Sequence, residues 1–309
     1  IGVSIACAKV AAKVAGQEVY EYLRTLAEIK PSRKAPYLFM NLLEGGKHTD
    51  SDLAFQEYHI VPITPDVAEA IDIGVKIQNT LKEIIFKDLG KESIILGDEG
   101  GFAPKMNDIR KPLLYLAEAI RQNNLQAKVR LALDVAATSF YEKGIYKIAG
   151  KNARLLPNHR EGGQVSPEEL GDIYHSLIKE FNLLSIEDPF QEEDFKSFSK
   201  LKASNKELKV VGDDLTVTNK ILLQKAIEKG SINAMIIKPN QIGTLTETLS
   251  TMRLARENDI ELIVSHRSGE TEDTFIADLA VGLGASQSKF GAPARSERTS
   301  KYNRLLRIE

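Results

Sequence analysis

Short unbroken apolar runs, each closing on charge, recur along this chain. Five of them are SIILGDEGGF (93–102), VRLALDVAATSFY (129–141), LLSIEDPFQ (183–191), LKVVGDDLTVTN (208–219) and INAMIIKPNQIG (232–243). A sixth, ELIVSHRSGETEDTF (261–275), runs into His266, Arg267 and Ser268. A short continuous apolar run reads as a strand buried on both faces, as in a parallel sheet. Between the runs the period changes to that of helices. Ser166-Pro167-Glu168-Glu169 is a helix start with a cap, a proline in the first turn and a capping box. Leu170, Ile173, Leu177, Ile178 and Phe181 follow at helical spacing. Similar stretches cover 219–229, 244–257 and 272–283. Strand and helix therefore alternate, which predicts an α/β fold of the β/α-barrel type with its site at the carboxyl-terminal rim.

The amino-terminal part is patterned differently. Residues 2–29 have helical spacing, with Val3, Ala6, Val10 and Val14 along one side and Leu23 and Leu26 along another. Gly16 divides them into two helices, and Lys30 to Lys34 reads as a linker. Residues 35–43 and 53–62 look extended, an antiparallel pair opening the barrel across a Gly-containing loop.

Composition narrows the function classes. With 309 residues and 42% hydrophobic content, the chain can bury a large core as one barrel or as two domains. Its 41 basic and 43 acidic residues nearly balance, without a long basic block, which argues against a nucleic-acid partner. No apolar run reaches membrane-spanning length. Cys7 has no second cysteine to pair with, which fits a reducing compartment, and a cytoplasmic location is expected. The apolar opening, interrupted by Lys9 and Lys13, reads as a packed helix and not as a signal peptide.

The charge at the strand ends carries chemistry. Asp134, Glu187 and Asp213 each close a predicted strand. Any one of them alone reads equally well as an ordinary capping acid. Three converging carboxylates repel unless a cation or protons offset them. An oxygen-only set favours Mg²⁺ or Mn²⁺, in a catalytic or a structural site. Lys238 emerges from a buried strand at the same rim, either as a partner for those acids or as a base. A base must lose its proton, and a neighbouring cation and a second lysine, such as Lys289, are expected to lower its pKa. A base beside a metal suits removal of a proton next to a carboxylate.

GDEGGFAP, LDVAATSFY, IEDPF, GDDLTVTN, KPNQIGTLTET, SHRSGETEDTFIADLAVG and KFGAPARSERTSKYNRLLRIE together resemble the enolase family from one end of the chain to the other. The resemblance implies an enolase-type TIM barrel over residues 32–309. Residues 1–31 would be helices left from a truncated amino-terminal α+β domain. It implies a Mg²⁺-dependent lyase of glycolysis and gluconeogenesis that interconverts 2-phospho-D-glycerate and phosphoenolpyruvate. Asp134, Glu187 and Asp213 match the ligands of the tighter Mg²⁺, with Glu187 and Asp213 also at the substrate. Lys238 matches the base at C2, Glu99 the general acid for the C3 hydroxyl, and Glu57 a second acid beside it. His48, His266, Arg267, Ser268 and Lys289 match substrate contacts. The pairing of Glu57 with Glu99 is expected to keep one proton near neutrality. His59, His159 and His175 match no motif and are expected to be structural or at the surface. The acids that follow Glu187 and Asp213 are expected to support the ligands or to face solvent. Of the family's two Mg²⁺ sites the second is expected to be incomplete, because the loop that supplies its serine precedes this chain. The loop Glu44-Gly45-Gly46-Lys47-His48-Thr49-Asp50 departs from the family's Asn-Gly-Gly-Ser-His-Ala-Gly form but keeps His48. A homodimer is the expected assembly. Two other readings stay open: a dehydratase or racemase of the wider superfamily, and an enolase-fold scaffold or surface-binding protein without turnover.

Overall fold

Continuous apolar runs become the staves of a closed barrel. The computed structural model of the chain describes residues 1–29, 35–46, 53–148 and 163–309. The expected boundary at residues 31 and 32 lies outside the described residues. The barrel strands are β1 (Tyr37–Glu44), β2 (Glu57–Pro62), β3 (Val129–Asp134), β4 (Ser185–Glu187), β5 (Lys209–Gly212), β6 (Ala234–Ile237), β7 (Glu261–Ser265) and β8 (Gln287–Lys289). Around the barrel they run β1, β8, β7, β6, β5, β4, β3, β2. All neighbours are parallel except β2, which is antiparallel to both β1 and β3. Because β2 runs backwards, its first residue, Glu57, stands level with the last residues of the parallel strands. The register pairs Glu57 with Asp134 and with Glu44.

One expected strand is not a strand. Residues 94–102 cross the barrel mouth as a loop, joined to β1 by a single bridge from Phe102 to Leu43 and closed on itself by another from Phe102 to Leu96. The place that a strand there would take is filled by β2. A small antiparallel sheet (141–142, 145–147 and 164–165) stands outside the barrel.

The helices are α1 (Gly2–Val14), α2 (Val19–Leu26), α3 (Val67–Leu89), α4 (Lys111–Gln122), α5 (Pro167–Phe181), α6 (Phe195–Ser204), α7 (Lys220–Glu228), α8 (Pro239–Ile242), α9 (Leu245–Glu257), α10 (Phe275–Gly282) and α11 (Ser296–Ile308). The capping box at α5 forms as the sequence predicts. Ser166 Oγ accepts from the Glu169 N–H at 3.2 Å, and Glu169 Oε2 accepts from the Ser166 N–H at 2.8 Å. Asp66, Asn219 and Thr244 cap α3, α7 and α9 with side-chain oxygens that accept first-turn N–H groups, without the reciprocal bond.

Helices α1 and α2 meet at Gly16, whose φ of 65° suits a residue without Cβ. Helix α2 lies on α10, where a Cβ at Gly282 would stand 2.5 Å from the Tyr20 carbonyl. That close approach buries Leu23 completely. Helix α1 corrects an expectation. It packs through Ala8 and Ala12, while Val3, Val10 and Val14 of the predicted apolar side face solvent. Small residues bring this helix against its neighbours, so apolar size alone misidentified the buried face. Among the described residues no helix is long and apolar enough to cross a membrane.

Candidate active site

The loops beyond the parallel strands share one polar cavity of about 170 Å³. Glu99, Asp134, Asp188, Asp213 and Asp214 line it together with Lys238, Lys289, Arg267, His266 and Ser268. Asp134 and Glu187 are the last residues of β3 and β4 and lie side by side in register, while Asp213 follows β5. All three are buried. Burial is the largest influence on Asp134 and Glu187 and leaves both carboxyls above their ordinary pKa, with mutual repulsion adding at Glu187. Lys289, at the end of β8, offsets part of that charge. Its Nζ lies 2.8 Å from Asp134 Oδ2 and 3.0 Å from both Glu187 Oε2 and Glu57 Oε2. Its burial would lower its pKa, but these acids hold it well above the usual lysine value.

Asp188 and Asp214 follow the expected ligands. Oxygens of Asp188, Asp213 and Asp214 lie within 4.8 Å of one another, a spacing that could hold a cation. Asp188 is buried and already engaged, since it accepts the N–H groups of Asp213 at 2.9 Å and Asp214 at 2.7 Å. It braces the loop that presents Asp213, at a strained φ of 42°.

Lys238 caps the end of β6. Its backbone N–H is held by Thr218 Oγ1 at 2.8 Å, and its Nζ is ion-paired with Asp213 Oδ2. Burial would lower its pKa, but Asp213 and Glu187 raise it above the usual lysine value. The expected lowering is therefore absent from this form of the site, and the reason is the ion pair. With Asp213 as its partner, Lys238 keeps its proton.

Glu99 sits at the tip of the mouth-crossing loop. Asn41 Nδ2 donates to its Oε2 at 3.1 Å, and Ser268 Oγ lies 3.4 Å from its Oε1. His266 Nε2 is 3.1 Å from Oε2, off the line of a good hydrogen bond. Burial and the charge of Glu57 push the Glu99 carboxyl up, but His266 and Lys289 pull it further down, to about 2. Pairing with Glu57 therefore does not by itself keep Glu99 protonated, because the charge of Lys289 and the N–H of His266 outweigh the repulsion.

Glu44 was missed as a site residue, although it opens the loop whose sequence departs from the family form. It is fully buried, and its Oε1 accepts from the N–H groups of Glu99 at 3.1 Å and Gly101 at 2.8 Å. Its Oε2 has no hydrogen-bond partner among the described residues. Burial and the charge of Glu99 push its pKa from 4.5 to about 8. Folded Glu44 thus keeps a proton that the unfolded chain releases above about 4.5. Its contribution to stability is complete below that pH and is lost progressively as pH rises to about 8, by roughly 1.4 kcal/mol per pH unit. Glu44→Gln keeps the accepting oxygen and removes the titration. Denaturant unfolding between pH 5 and pH 8 is expected to show a flatter stability curve for the variant and a few kcal/mol in its favour at the upper end.

Arg298, on α11, was also missed. It is 1% exposed and donates to His266 Nδ1 at 2.7 Å and to the carbonyls of Arg267, Asp98 and Ser268 at 2.7, 3.0 and 2.6 Å. Arginine only donates, so His266 Nδ1 accepts and Nε2 carries the proton, pointing towards Glu99. Burial lowers the His266 pKa, in keeping with a neutral ring. The side chains of Arg267 and Ser268 are exposed at the mouth. His48 and His159 lie outside the described residues. His175 is a surface residue bonded to Ser204 Oγ at 2.9 Å, and His59 is buried beneath Glu57.

The family described as "Enolase, C-terminal TIM barrel domain" matches residues 32–309. Three proteins named enolase are similar over the whole chain. That of Methanocaldococcus jannaschii is 43% identical over 310 residues, that of Methanopyrus kandleri 44% over 315, and that of Methanococcus aeolicus 43% over 310. The chain spans 69%, 70% and 70% of their respective lengths. A closed eight-stranded barrel with acids and lysines gathered at its rim, matched along its full length, leads to one conclusion: the chain belongs to the enolase family, the carbon–oxygen lyases known as phosphopyruvate hydratases.

Proposed function

We propose that this rim catalyses the Mg²⁺-dependent interconversion of 2-phospho-D-glycerate with phosphoenolpyruvate and water. The observation that carries the reading is the meeting of Asp134, Glu187 and Asp213, from three adjacent strands, with Lys238 and Lys289 at one barrel rim. The donor set fits Mg²⁺: the oxygens are hard, no thiol is present, and the acids are buried together at adjacent strand ends. Mg²⁺ held by these three acids would supply the positive charge that stabilises a dianionic enolate.

The chain's own groups then have distinct tasks. Lys238 takes the C2 proton once Asp213 no longer holds its ammonium, because burial alone favours the neutral amine. Glu99, with Glu57 beside it, delivers a proton to the departing C3 hydroxyl. A phosphorylated, carboxylated substrate would bring negative charge beside Glu99 and engage Lys289, which moves the Glu99 pKa upward from its value in the free site. Arg267 at the mouth suits forked recognition of phosphate, with His48, His266 and Ser268 as further donors. Lys289 neutralises the substrate carboxylate as charge accumulates. Residues 32–309 form the catalytic barrel and residues 1–31 a separate helical segment, a division supported by the start of the family match. The same reading carries a cytosolic, glycolytic setting and a homodimer, on family membership alone.

The test is phosphoenolpyruvate formation with added Mg²⁺ and its loss on chelation, with Asp213→Asn alongside. The variant is expected to weaken Mg²⁺ affinity by about tenfold or more, read by Mg²⁺ titration calorimetry. Unchanged affinity would remove Asp213 from the ligand set. Mg²⁺ binding without turnover in the unaltered chain would favour an enolase-fold binding protein instead.

A further inference from the structure

His59 has no place in the reaction above, yet it lies directly under one of its acids. It follows Glu57 by two residues on β2, so both side chains enter the barrel interior. Phe39, Val61 and Ala132 form one buried cluster beside it, the Phe39 ring meets the imidazole edge-on at 6.0 Å, and Asn41 stands opposite it in register. The imidazole is 1% exposed, and its Nδ1 has no hydrogen-bond partner among the described residues. A half-satisfied polar ring in such a place works against stability. What it gains is at the other nitrogen, where Nε2 lies 2.8 Å from Glu57 Oε2.

The same oxygen identifies the donor. Glu57 Oε2 is also 3.0 Å from Lys289 Nζ. An ammonium group only donates, so this oxygen accepts, and the neighbouring positive charge favours the carboxylate over the neutral acid. The imidazole facing it therefore brings a proton on Nε2 and leaves Nδ1 bare, without a hydrogen-bond partner among the described residues. These two contacts to Glu57 Oε2 differ in kind. Lys289 divides its ammonium among Asp134, Glu187 and Glu57 on a flexible stem. His59 is a rigid ring with Glu57 as its polar partner, packed on the strand that carries Glu57 itself. Whenever a cation or a substrate carboxylate redirects Lys289, the imidazole still holds the acid in place.

We propose that His59 is a positioning residue for Glu57, held as the Nε2–H tautomer and fixing that carboxylate beside Asp134 and Lys289. The proposal rests on the reading of Glu57 as the acid beside Glu99. It is tested in the full chain with His59→Leu, His59→Gln, Glu57→Gln and the double variant, together with ¹⁵N NMR of the imidazoles. The His59 spectrum is expected to show a protonated Nε2 and a bare Nδ1 at neutral pH. A protonated Nδ1 would overturn the proposal whether or not turnover is measurable. His59→Leu is expected to keep or raise the melting temperature while lowering kcat about tenfold, with KM within about twofold. His59→Gln, which retains an N–H donor, should recover most of the lost kcat. Glu57→Gln should lower kcat by itself, and adding His59→Leu to it should lower kcat no further. If Glu57→Gln lowers kcat and His59→Leu does not, the positioning role is wrong and the reading of Glu57 stands. If neither lowers it, the reading of Glu57 fails first.

Discussion

Replacing Lys238 with alanine is expected to lower Mg²⁺-dependent turnover of 2-phosphoglycerate by about a thousandfold or more, the upper part of the range for a positioned base. Exchange of the C2 hydrogen with deuterated solvent should be lost with it, since both need the same proton transfer. Mg²⁺ affinity should hold or tighten. In the described site Asp213 spends an oxygen on the Lys238 ammonium, and the variant frees that oxygen for a cation. Steady-state kinetics, solvent exchange and a Mg²⁺ titration on one sample therefore separate base from ligand. Turnover within about tenfold of the unaltered chain would remove Lys238 as the base.

Arg298→Leu is expected to be the most destabilising single change at the site, by about 3–5 kcal/mol. Its four donated bonds join the loop after β7 to the loop that carries Glu99. Leucine would leave three carbonyls and His266 Nδ1 facing an apolar side chain. Arg298→Lys should rescue little, because one ammonium cannot span acceptors that a planar fork reaches together. Denaturant unfolding checks the first figure. If the folded variant retained full kcat, the four contacts would be structural only.

The barrel was legible because parallel strands are covered on both faces and so appear as unbroken apolar runs. The same rule misread residues 93–102, where Ile94, Ile95 and Leu96 also precede acids. Nothing local distinguishes a strand from an apolar loop when the competing strand, β2, comes from elsewhere in the chain. Asp134, Glu187, Asp213 and Lys238 were readable as strand ends. Glu57 was not, because it begins a strand that runs the other way, and only likeness to a family supplied it. The ion pair of Lys238 with Asp213 was the plainer of the two roles open to that lysine, and it overrides the expected lowering of its pKa. Glu44 and Arg298 act through contacts with residues 55 and up to 200 positions away, which no spacing encodes. On α1 the valines suggested the wrong face because alanine, not valine, permits the close approach of that helix.

Lys289 bonds acids from β2, β3 and β4. An internal ammonium thus stands among carboxylates that would otherwise force one another apart. If the site takes Mg²⁺ as proposed, the barrel is expected to close without the ion, so that the supply of free cation would govern how many molecules work and not how many fold.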